Sequence, residues 1–466
     1  MNFTKSVVII GGGASGVLTG VNLAQRSSVP LRVTVICPGK IVGSGIAFSQ
    51  DAESHLLNVV AEKMSAFPDE HDHFVKWLIS SRYSEFHSDT LSKSFLPRTI
   101  YGEYLFDVWK RAGNHCSEGT EIIAIEDRAV DVRRNGESNF TVVLTSGKEL
   151  NAQYVVLAIS NALPRNPEIT DKSFYQSAKY FNNPWDRSVT EELDCNKDVL
   201  LIGNGLTMVD TVVSLTKKKL KGVINSISPH GFSILPHRNN GITYNGFVKE
   251  MDSVKGLTQY VALFNKHVKK IRGLGLSAET IVDSLRPVTQ SVWMSLTECE
   301  KKKFIARLRH MWGAMRHRLP AQHYDLIQKL KADGKLKIWA GSISDLTLCG
   351  NEVAVSFYER KTKSPKMLTV SRVINCTGPE LDIERINDPL FKNLIRRNFI
   401  SSDPFKMGLL IDPVTFQLLD PLHNPVPNFF ALGALLRGVL WETTAIPEIR
   451  NQARQIADRI LGSINN

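Results

Sequence analysis

Two runs of consecutive apolar residues, Val7-Val8-Ile9-Ile10 and Val199-Leu200-Leu201-Ile202, are each followed at once by a glycine turn. Short, largely β-branched runs without polar interruption predict strands buried on both faces of a parallel sheet. Beyond the first turn, Val17, Val21 and Ala24 recur at helical spacing, and Arg32-Val33-Thr34-Val35-Ile36 returns to strand. Strand, turn, helix and strand in that order predict a βαβ unit. The second run precedes a helix closed by Lys217-Lys218-Lys219, where cations suit the helix dipole, and then a strand over 223–227. Strands are also predicted at 140–144, 154–158, 373–376 and 428–432. From about Met251 to Leu330 the pattern is helical, with Val254, Leu257, Val261 and Phe264 as apolar marks, and an insertion is expected there. A final helix carries Ile446, Ile449, Ala453, Ile456 and Ile460 on one face, with Pro447 in its first turn.

The first turn reads Gly11-Gly12-Gly13-Ala14-Ser15-Gly16. Gly11 permits the tight bend, Gly13 lets the backbone approach a pyrophosphate, and Gly16 lets the helix lie close to the strand. Ala14 and Ser15 begin the helix whose N-terminus faces the phosphates. The second turn, Gly203-Asn204-Gly205-Leu206-Thr207-Met208, repeats the pattern with Met208 at the third glycine position. Two such turns predict two dinucleotide cofactors, the usual purpose being transfer of a hydride from a soluble nicotinamide to a bound flavin. The acidic residue that normally ends the second strand and binds ribose is replaced by Cys37. Asp210 is expected inside the second helix and not at a ribose. His230, His237 and Arg238 are the candidates for an adenosine phosphate, which favours NADPH over NADH.

Composition narrows this further. A chain of 466 residues with 42% hydrophobic and 22% charged residues is globular and has room for two or three domains. The net charge of +11 comes from scattered basic residues, so a solvated surface that attracts anionic cofactors is expected, and no nucleic-acid site. Six cysteines with no C-x-x-C pair speak against a redox dithiol and a zinc site, and fit a reducing compartment. With no signal peptide visible and no apolar run near the roughly 20 residues that span a bilayer, a cytoplasmic protein is expected.

Several segments together carry a family resemblance: Gly43-Ser44-Gly45-Ile46-Ala47-Phe48, His55-Leu56-Leu57-Asn58-Val59 and Met64-Ser65-Ala66-Phe67-Pro68-Asp69. Phe95 to Leu105, with Arg98 and Tyr101-Gly102, and Arg437-Gly438-Val439-Leu440-Trp441-Glu442-Thr443-Thr444 continue it. The chain resembles bacterial FAD/NAD(P)-binding oxidoreductases with two Rossmann domains, related to flavin-dependent, N-hydroxylating monooxygenases. The resemblance implies an α/β fold of two Rossmann-type dinucleotide-binding domains, the FAD domain being discontinuous. Residues 1–165 and 366–466 would bind FAD, and 166–365, with a helical insertion at about 250–330, would bind NAD(P)H. It places Asn58 beside the reactive face of the flavin as the catalytic residue. Gly45, Met64 and Ser65 would lie along the cofactor, with Arg98 at a diphosphate or at the flavin. Gly378 would mark the second crossing between domains, Gly433 would meet the ribityl phosphate, and Thr444 would belong to the closing motif. It also implies a final helix that aims its positive end at the flavin pyrimidine. Ser160 and Ala434 depart from the family pattern, as Cys37 and Met208 do. Arg316-His317-Arg318 would suit a substrate carboxylate or the phosphates of NADPH, or simply end a helix before Pro320.

Three readings of function follow. In the first, FAD reduced by NADPH or NADH hydroxylates a small, amine-bearing substrate. The second is an NAD(P)H-dependent reductase or dehydrogenase without oxygen insertion. In the third, the four departures leave a degenerate flavoprotein with a binding or scaffold role.

Overall fold

The computed structural model describes residues 5–49, 55–83, 88–136, 139–159, 162–238 and 242–465. The first segment holds β1 (Lys5–Ile10), α1 (Ala14–Arg26) and β2 (Leu31–Cys37), followed by α2 (His73–Ser80) and α3 (Arg98–Asn114). Then come β3 (Glu121–Glu126), β4 (Ala129–Asn135), β5 (Asn139–Leu144), β6 (Glu149–Ala152) and β7 (Tyr154–Leu157). The middle of the chain holds β8 (Tyr180–Phe181), β9 (Val199–Ile202), α4 (Leu206–Lys217) and β10 (Ile224–Ser228). It continues through α5 (Gly256–Arg272), α6 (Arg309–Arg316), α7 (Ala321–Ala332), β11 (Leu336–Cys349), β12 (Glu352–Glu359), β13 (Ser364–Val370) and β14 (Arg372–Asn375). The last part adds α8 (Pro389–Arg396), β15 (Gln417–Leu419), β16 (Pro425–Ala431) and α9 (Ile446–Asn465).

The chain divides into two compact units, one made of Met1–Ala162 with Glu380–Asn466 and the other of Leu163–Pro379. The first unit is built on a sheet of order β15-β16-β7-β1-β2-β3, parallel except for the β15–β16 pair. β1 is buried throughout its last four residues because it lies between β2 and β7 with helices on the sheet faces, as its unbroken apolar run requires. α1 packs against α9, so the opening and closing segments share one core. A separate three-stranded antiparallel sheet, β4-β5-β6, contains Phe140–Leu144. That strand is present as expected, but Phe140 packs edge-on against Phe399 and Phe429 and does not extend the parallel sheet.

In the second unit the order is β13-β12-β11-β10-β9-β14-β8. The five strands β8, β14, β9, β10 and β11 run parallel, and β11 continues into an antiparallel meander with β12 and β13. The strand at 372–375, expected in the closing part of the first domain, lies in this sheet, because it pairs with β9 along its whole length. Helices between 246 and 316 form their own apolar cluster around Phe247, Ile271 and Ile281. Asp72 stands at the N-cap of α2, but its carboxylate pairs with Lys76 and makes no cap bond. Ser160 lies outside the described residues. Among them, no helix is long and apolar enough to cross a membrane, and no group of three His, Cys, Asp or Glu side chains could hold a metal.

The closing segment is fastened to the opening one by an ion pair beyond α8. Arg397 Nε and a terminal guanidinium nitrogen donate to the two carboxylate oxygens of Asp131 on β4, at 2.9 and 2.7 Å. Burial raises the Asp131 pKa, but the Arg397 fork outweighs it, so the carboxyl titrates below its ordinary range. The folded form therefore binds this proton less readily than the unfolded one. The stabilisation is present above about pH 4 and is lost as pH falls through the lower folded value. Arg397→Ala should cost about 1–2 kcal/mol at neutral pH and flatten the acid limb of a urea-stability profile. An unchanged acid limb would show that the pair does no such work.

Candidate cofactor sites

Both glycine turns sit at the carboxyl end of the strand that leads into them, and their geometry repeats. Gly11 has φ +116°, and a Cβ there would lie 2.5 Å from the Ala158 carbonyl oxygen just past β7. Gly203 has φ +108°, and a Cβ there would lie 2.5 Å from the Cys376 carbonyl oxygen just past β14. The backbone N–H of Gly11 donates to Ile36 O at 2.9 Å, and that of Gly203 donates to Ile227 O at 2.8 Å. In each unit the chain leaves the first strand for a neighbour on one side (β2 or β10), while β7 or β14 lies on the other. That reversal opens the crevice where doubly wound sheets bind their ligands.

The first site is an open cradle. Gly13, the N-cap of α1, has extended backbone, no side-chain cap, and no carboxylate in the turn that follows. The nearest atom to a Cβ on Gly13 would be Gly45 Cα at 3.9 Å, so the surface of the turn faces space. The first N–H groups of α1 and the helix dipole are therefore available to an anion. Gly16 differs, because its Cβ would overlap the carbonyl of Gly11. Gly45 lies over the turn, and Gly43 N donates to Gly12 O at 2.8 Å, so the 43–45 loop forms one wall. Cys37 is buried against Gly12, where it fills the end of β2 in place of a ribose-binding acid.

The closing strand completes this site. Gly433, with φ +90°, follows β16, and its Cβ would lie 3.1 Å from Ser15 Oγ. A buried ring of hydrogen bonds fixes it: Gln452 Oε1 accepts from Gly433 N at 3.0 Å, and Gln452 Nε2 donates to Thr443 Oγ1 at 2.7 Å. Thr443 Oγ1 in turn donates to Gly433 O at 2.9 Å. The sequence singled out Thr444, but Thr444 is exposed, and its neighbour Thr443 makes the internal contacts. Gln452 went unnoticed, although a glutamine between Ile449 and Ala453 on the apolar face of a helix was a usable signal.

The 55–70 stretch is braced from two sides. Arg98 N donates to His55 O at 2.9 Å and Arg98 Nε to Leu56 O at 3.1 Å, which holds the strand segment before the partly exposed Asn58. This engages one edge of the Arg98 guanidinium with protein backbone and not with a diphosphate. Met64 is buried, and Ser65 is fully buried with its hydroxyl donating to Phe67 O at 3.1 Å. Ser65 therefore shapes the loop and offers no side-chain contact to a cofactor. Arg450 of α9 donates to Ser65 O at 2.9 Å, and Arg454 pairs with Asp69 at 3.0 Å. Beneath the loop, the Tyr104 hydroxyl accepts from Ala66 N and meets His73 Nδ1 at 2.7 Å. Burial pushes the Tyr104 phenol up and the His73 imidazole down, so both are neutral near pH 7. Tyr101 beside it is fully buried, with its hydroxyl unpartnered among the described residues.

In the second site Gly205 is the uncapped N-cap of α4, and a Cβ there would meet nothing within 4 Å. Leu206 and Thr207 open the helix, and Thr207 O accepts from Thr211 Oγ1 at 2.9 Å. Met208 is absorbed into a core with Val199, Leu201 and Ile374, so its bulk does not enter the turn. Cys376 is buried against Thr211, with its thiol pushed up to about 12 by burial, which makes it a packing residue. Gly378 has φ +90° and open space at its Cβ position, and it lies one residue before the end of the second unit at Pro379. Arg318 is a structural cation: it is buried, pairs with Asp283 at 2.8 Å and donates to Glu279 O at 2.9 Å. It is thereby withdrawn from the proposed anion triplet of 316–318.

A family described as FAD-NAD(P)-binding matches residues 8–162. This part of the chain is therefore similar to FAD-NAD(P)-binding domains. No curated protein matches the sequence. Among solved structures, the chain is similar to an ornithine N-hydroxylase of Kutzneria sp. 744, with TM-score 0.66, 11% identity and 100% of both chains covered. It is also similar to the cadaverine monooxygenase DfoA of Erwinia amylovora, solved bound to FAD, with TM-score 0.65 and 14% identity over 99% of this chain and 95% of that one. A bacillithiol disulfide reductase of Staphylococcus aureus matches with TM-score 0.56 and 12% identity over 99% of each chain. At these identities the likeness is one of fold, and it extends over both units.

The first glycine turn passes a direct test of fit to a dinucleotide. Its third residue in the glycine turn carries no side chain where a pyrophosphate would lie, and the helix behind it has free donors and no opposing carboxylate. Cys37 packs against Gly12 and not against Gly13, so it removes a polar contact and leaves the pyrophosphate cradle intact.

Proposed function

We propose that the protein is an FAD-dependent NAD(P)H oxidoreductase that hydroxylates a small amine-bearing substrate. The first unit holds FAD and the second holds the nicotinamide dinucleotide. The observation that carries this reading is the duplicated, open glycine turn, present once in each unit with nearly the same φ and the same approach to a neighbouring carbonyl. The hydroxylase fold of the Kutzneria and Erwinia proteins supports the choice of reaction.

Bound FAD would supply hydride acceptance from NAD(P)H and activation of dioxygen. The chain's own residues bind and orient. The backbone of Gly13, Ala14 and Ser15 holds the pyrophosphate, Gly45 closes over it, and Gly433 allows the ribityl phosphate to approach. Asn58, steadied through Arg98, presents its amide at the reactive face. The N-terminus of α9, tied to the 65–69 loop by Arg450 and Arg454, favours negative charge on the pyrimidine half.

A second reading, a reductase without oxygen insertion, is favoured by the likeness to the bacillithiol disulfide reductase. Anaerobic mixing with NADPH or NADH separates the possibilities. Bleaching of the flavin is expected, followed in air by consumption of NAD(P)H that an added diamine or basic amino acid accelerates, with hydroxylated amine as product. Peroxide as the sole oxygen product would favour the reductase. A colourless protein that cannot be reconstituted with FAD would leave only a scaffold role.

A further inference from the structure

We propose that Tyr101, Tyr104, Trp77 and Tyr83 form an electron relay that carries oxidising equivalents from the flavin site to the surface. The inference rests on the reading that the first unit holds FAD, and it adds a protective function to that reading. A flavin that activates dioxygen also releases peroxide, and one-electron oxidants derived from peroxide attack the protein around them. A row of oxidisable rings in contact gives the missing electron a way out. The inner end of this row adjoins two segments of the proposed flavin site. The Tyr101 ring lies 4.8 Å from that of Phe48, at the end of the loop that walls the glycine turn, and the Tyr104 hydroxyl accepts from Ala66 N in the 64–69 loop.

From there the rings follow one another outward. The centroids of Tyr101 and Tyr104 are 5.4 Å apart, those of Tyr104 and Trp77 are 5.4 Å apart, and those of Trp77 and Tyr83 are 6.1 Å apart. The helices dictate this order, because Tyr101 and Tyr104 share one face of α3 at i, i+3 spacing, and His73 and Trp77 share one face of α2 at i, i+4 spacing. Tyr101 and Tyr104 are fully buried, Trp77 is 9% exposed, and Tyr83 is half-buried at the surface. Tyr104, Trp77 and Tyr83 each have an acceptor at hydrogen-bond distance. The Tyr104 hydroxyl oxygen accepts from Ala66 N, so its own proton points at His73 Nδ1, at 2.7 Å. Burial holds the His73 imidazole below its ordinary value, so it is neutral near pH 7 and able to take that proton. Trp77 Nε1 donates at 2.7 Å to Asp107, which also pairs with Arg111, and the Tyr83 hydroxyl donates to Glu103 at 2.8 Å. Tyr101 has no such partner among the described residues, so it passes the electron without keeping a buried positive charge. Packing alone requires none of these partners: Phe140, Phe399 and Phe429 in the same unit meet edge-on as plain hydrocarbon rings.

Each step of the relay balances. A peroxide-derived oxidant at the flavin site takes one electron from Tyr104 by way of Tyr101, and the Tyr104 proton moves to His73. Trp77 returns an electron to Tyr104 and His73 returns the proton, which leaves the Trp77 indole as a radical cation beside the Asp107 carboxylate. Tyr83 then reduces Trp77 and passes its own proton to Glu103. A thiol in solvent gives Tyr83 one electron and one proton, Glu103 releases its proton to water, and two thiyl radicals join as a disulfide.

The test uses the full-length protein and a photo-oxidant in solution, flash-oxidised tris(bipyridine)ruthenium, which needs no bound flavin. This probe reaches Tyr83 from outside, and without thiol the missing electron spreads along the relay. Rapid freezing and electron paramagnetic resonance should reveal a tyrosyl radical that Tyr104→Phe removes, although solvent does not reach that ring. Trp77→Phe, which keeps an aromatic ring in place, should lower this signal about 10-fold, the change expected from a modest rise in the barrier to transfer. Asp107→Asn, which keeps an acceptor but removes the charge, should lower it as well, and this guards against misfolding of one variant. In flavin-loaded protein cycled with NAD(P)H in air, Trp77→Phe should also raise sulfoxide formation at the buried Met64, read by mass spectrometry. A radical confined to Tyr83 in the wild type, or a Tyr104 signal undiminished in both variants, would overturn the proposal, as would unchanged oxidation of Met64. A radical that reaches Tyr104 in a protein unable to retain FAD would support the relay and count against the cofactor assignment alone.

Discussion

Gly13→Val is expected to yield a folded protein that has lost its flavin. The backbone at Gly13 is extended, at φ −77° and ψ −169°, a region open to a β-branched residue. The Cβ would meet only Gly45 Cα, at 3.9 Å, so the fold has room for it. The same space is what a pyrophosphate needs for close approach to the N–H groups of α1. Valine would fill it with methyl groups and bury donors that only an anion can satisfy. Purified variant should show the circular dichroism of the wild type and a midpoint of urea unfolding within about 1 kcal/mol of the wild-type protein stripped of flavin. Its visible flavin absorbance should be absent, even after incubation with excess FAD. Retention of FAD by this variant would show that the cofactor is held elsewhere.

Gly16→Ala, three residues further on, should do the reverse and damage the fold itself. An added Cβ there would overlap the carbonyl of Gly11, which is backbone and cannot rotate away. Relief requires α1 to lift from β1, and both belong to the core shared with α9. A loss on the order of 3 kcal/mol follows, at the upper end of what overpacking usually costs. The expected signs are a lower unfolding midpoint and poor soluble yield, with loss of FAD as a secondary result. A midpoint equal to the wild type would mean that the helix and strand are not as close as described. The two glycines thus separate binding from folding within one turn.

The βαβ units were legible because their signal is local: an all-apolar strand such as Val7–Ile10 and a glycine turn leave few alternatives. Places where the sequence misled are places where distant segments decide. The strand over 372–375 looks like any buried strand, and only its pairing with β9 assigns it to the second unit. Phe140–Leu144 has strand character in either sheet, and its aromatic neighbours Phe399 and Phe429 come from the far end of the chain. Thr443 and Thr444 are identical in type, and one residue of helix entry determines which of them faces Gln452. Arg318 resembles an anion ligand until Asp283, 35 residues earlier, is seen to hold it.

The first unit joins Met1–Ala162 to Glu380–Asn466. During synthesis, the ribosome must release the whole intervening unit before β16 and α9 exist to finish the proposed flavin site. On the proposed function, cofactor loading is therefore a late event in the life of each molecule. A premature stop anywhere between the two portions would produce a polypeptide with an intact glycine turn and nothing to shut it.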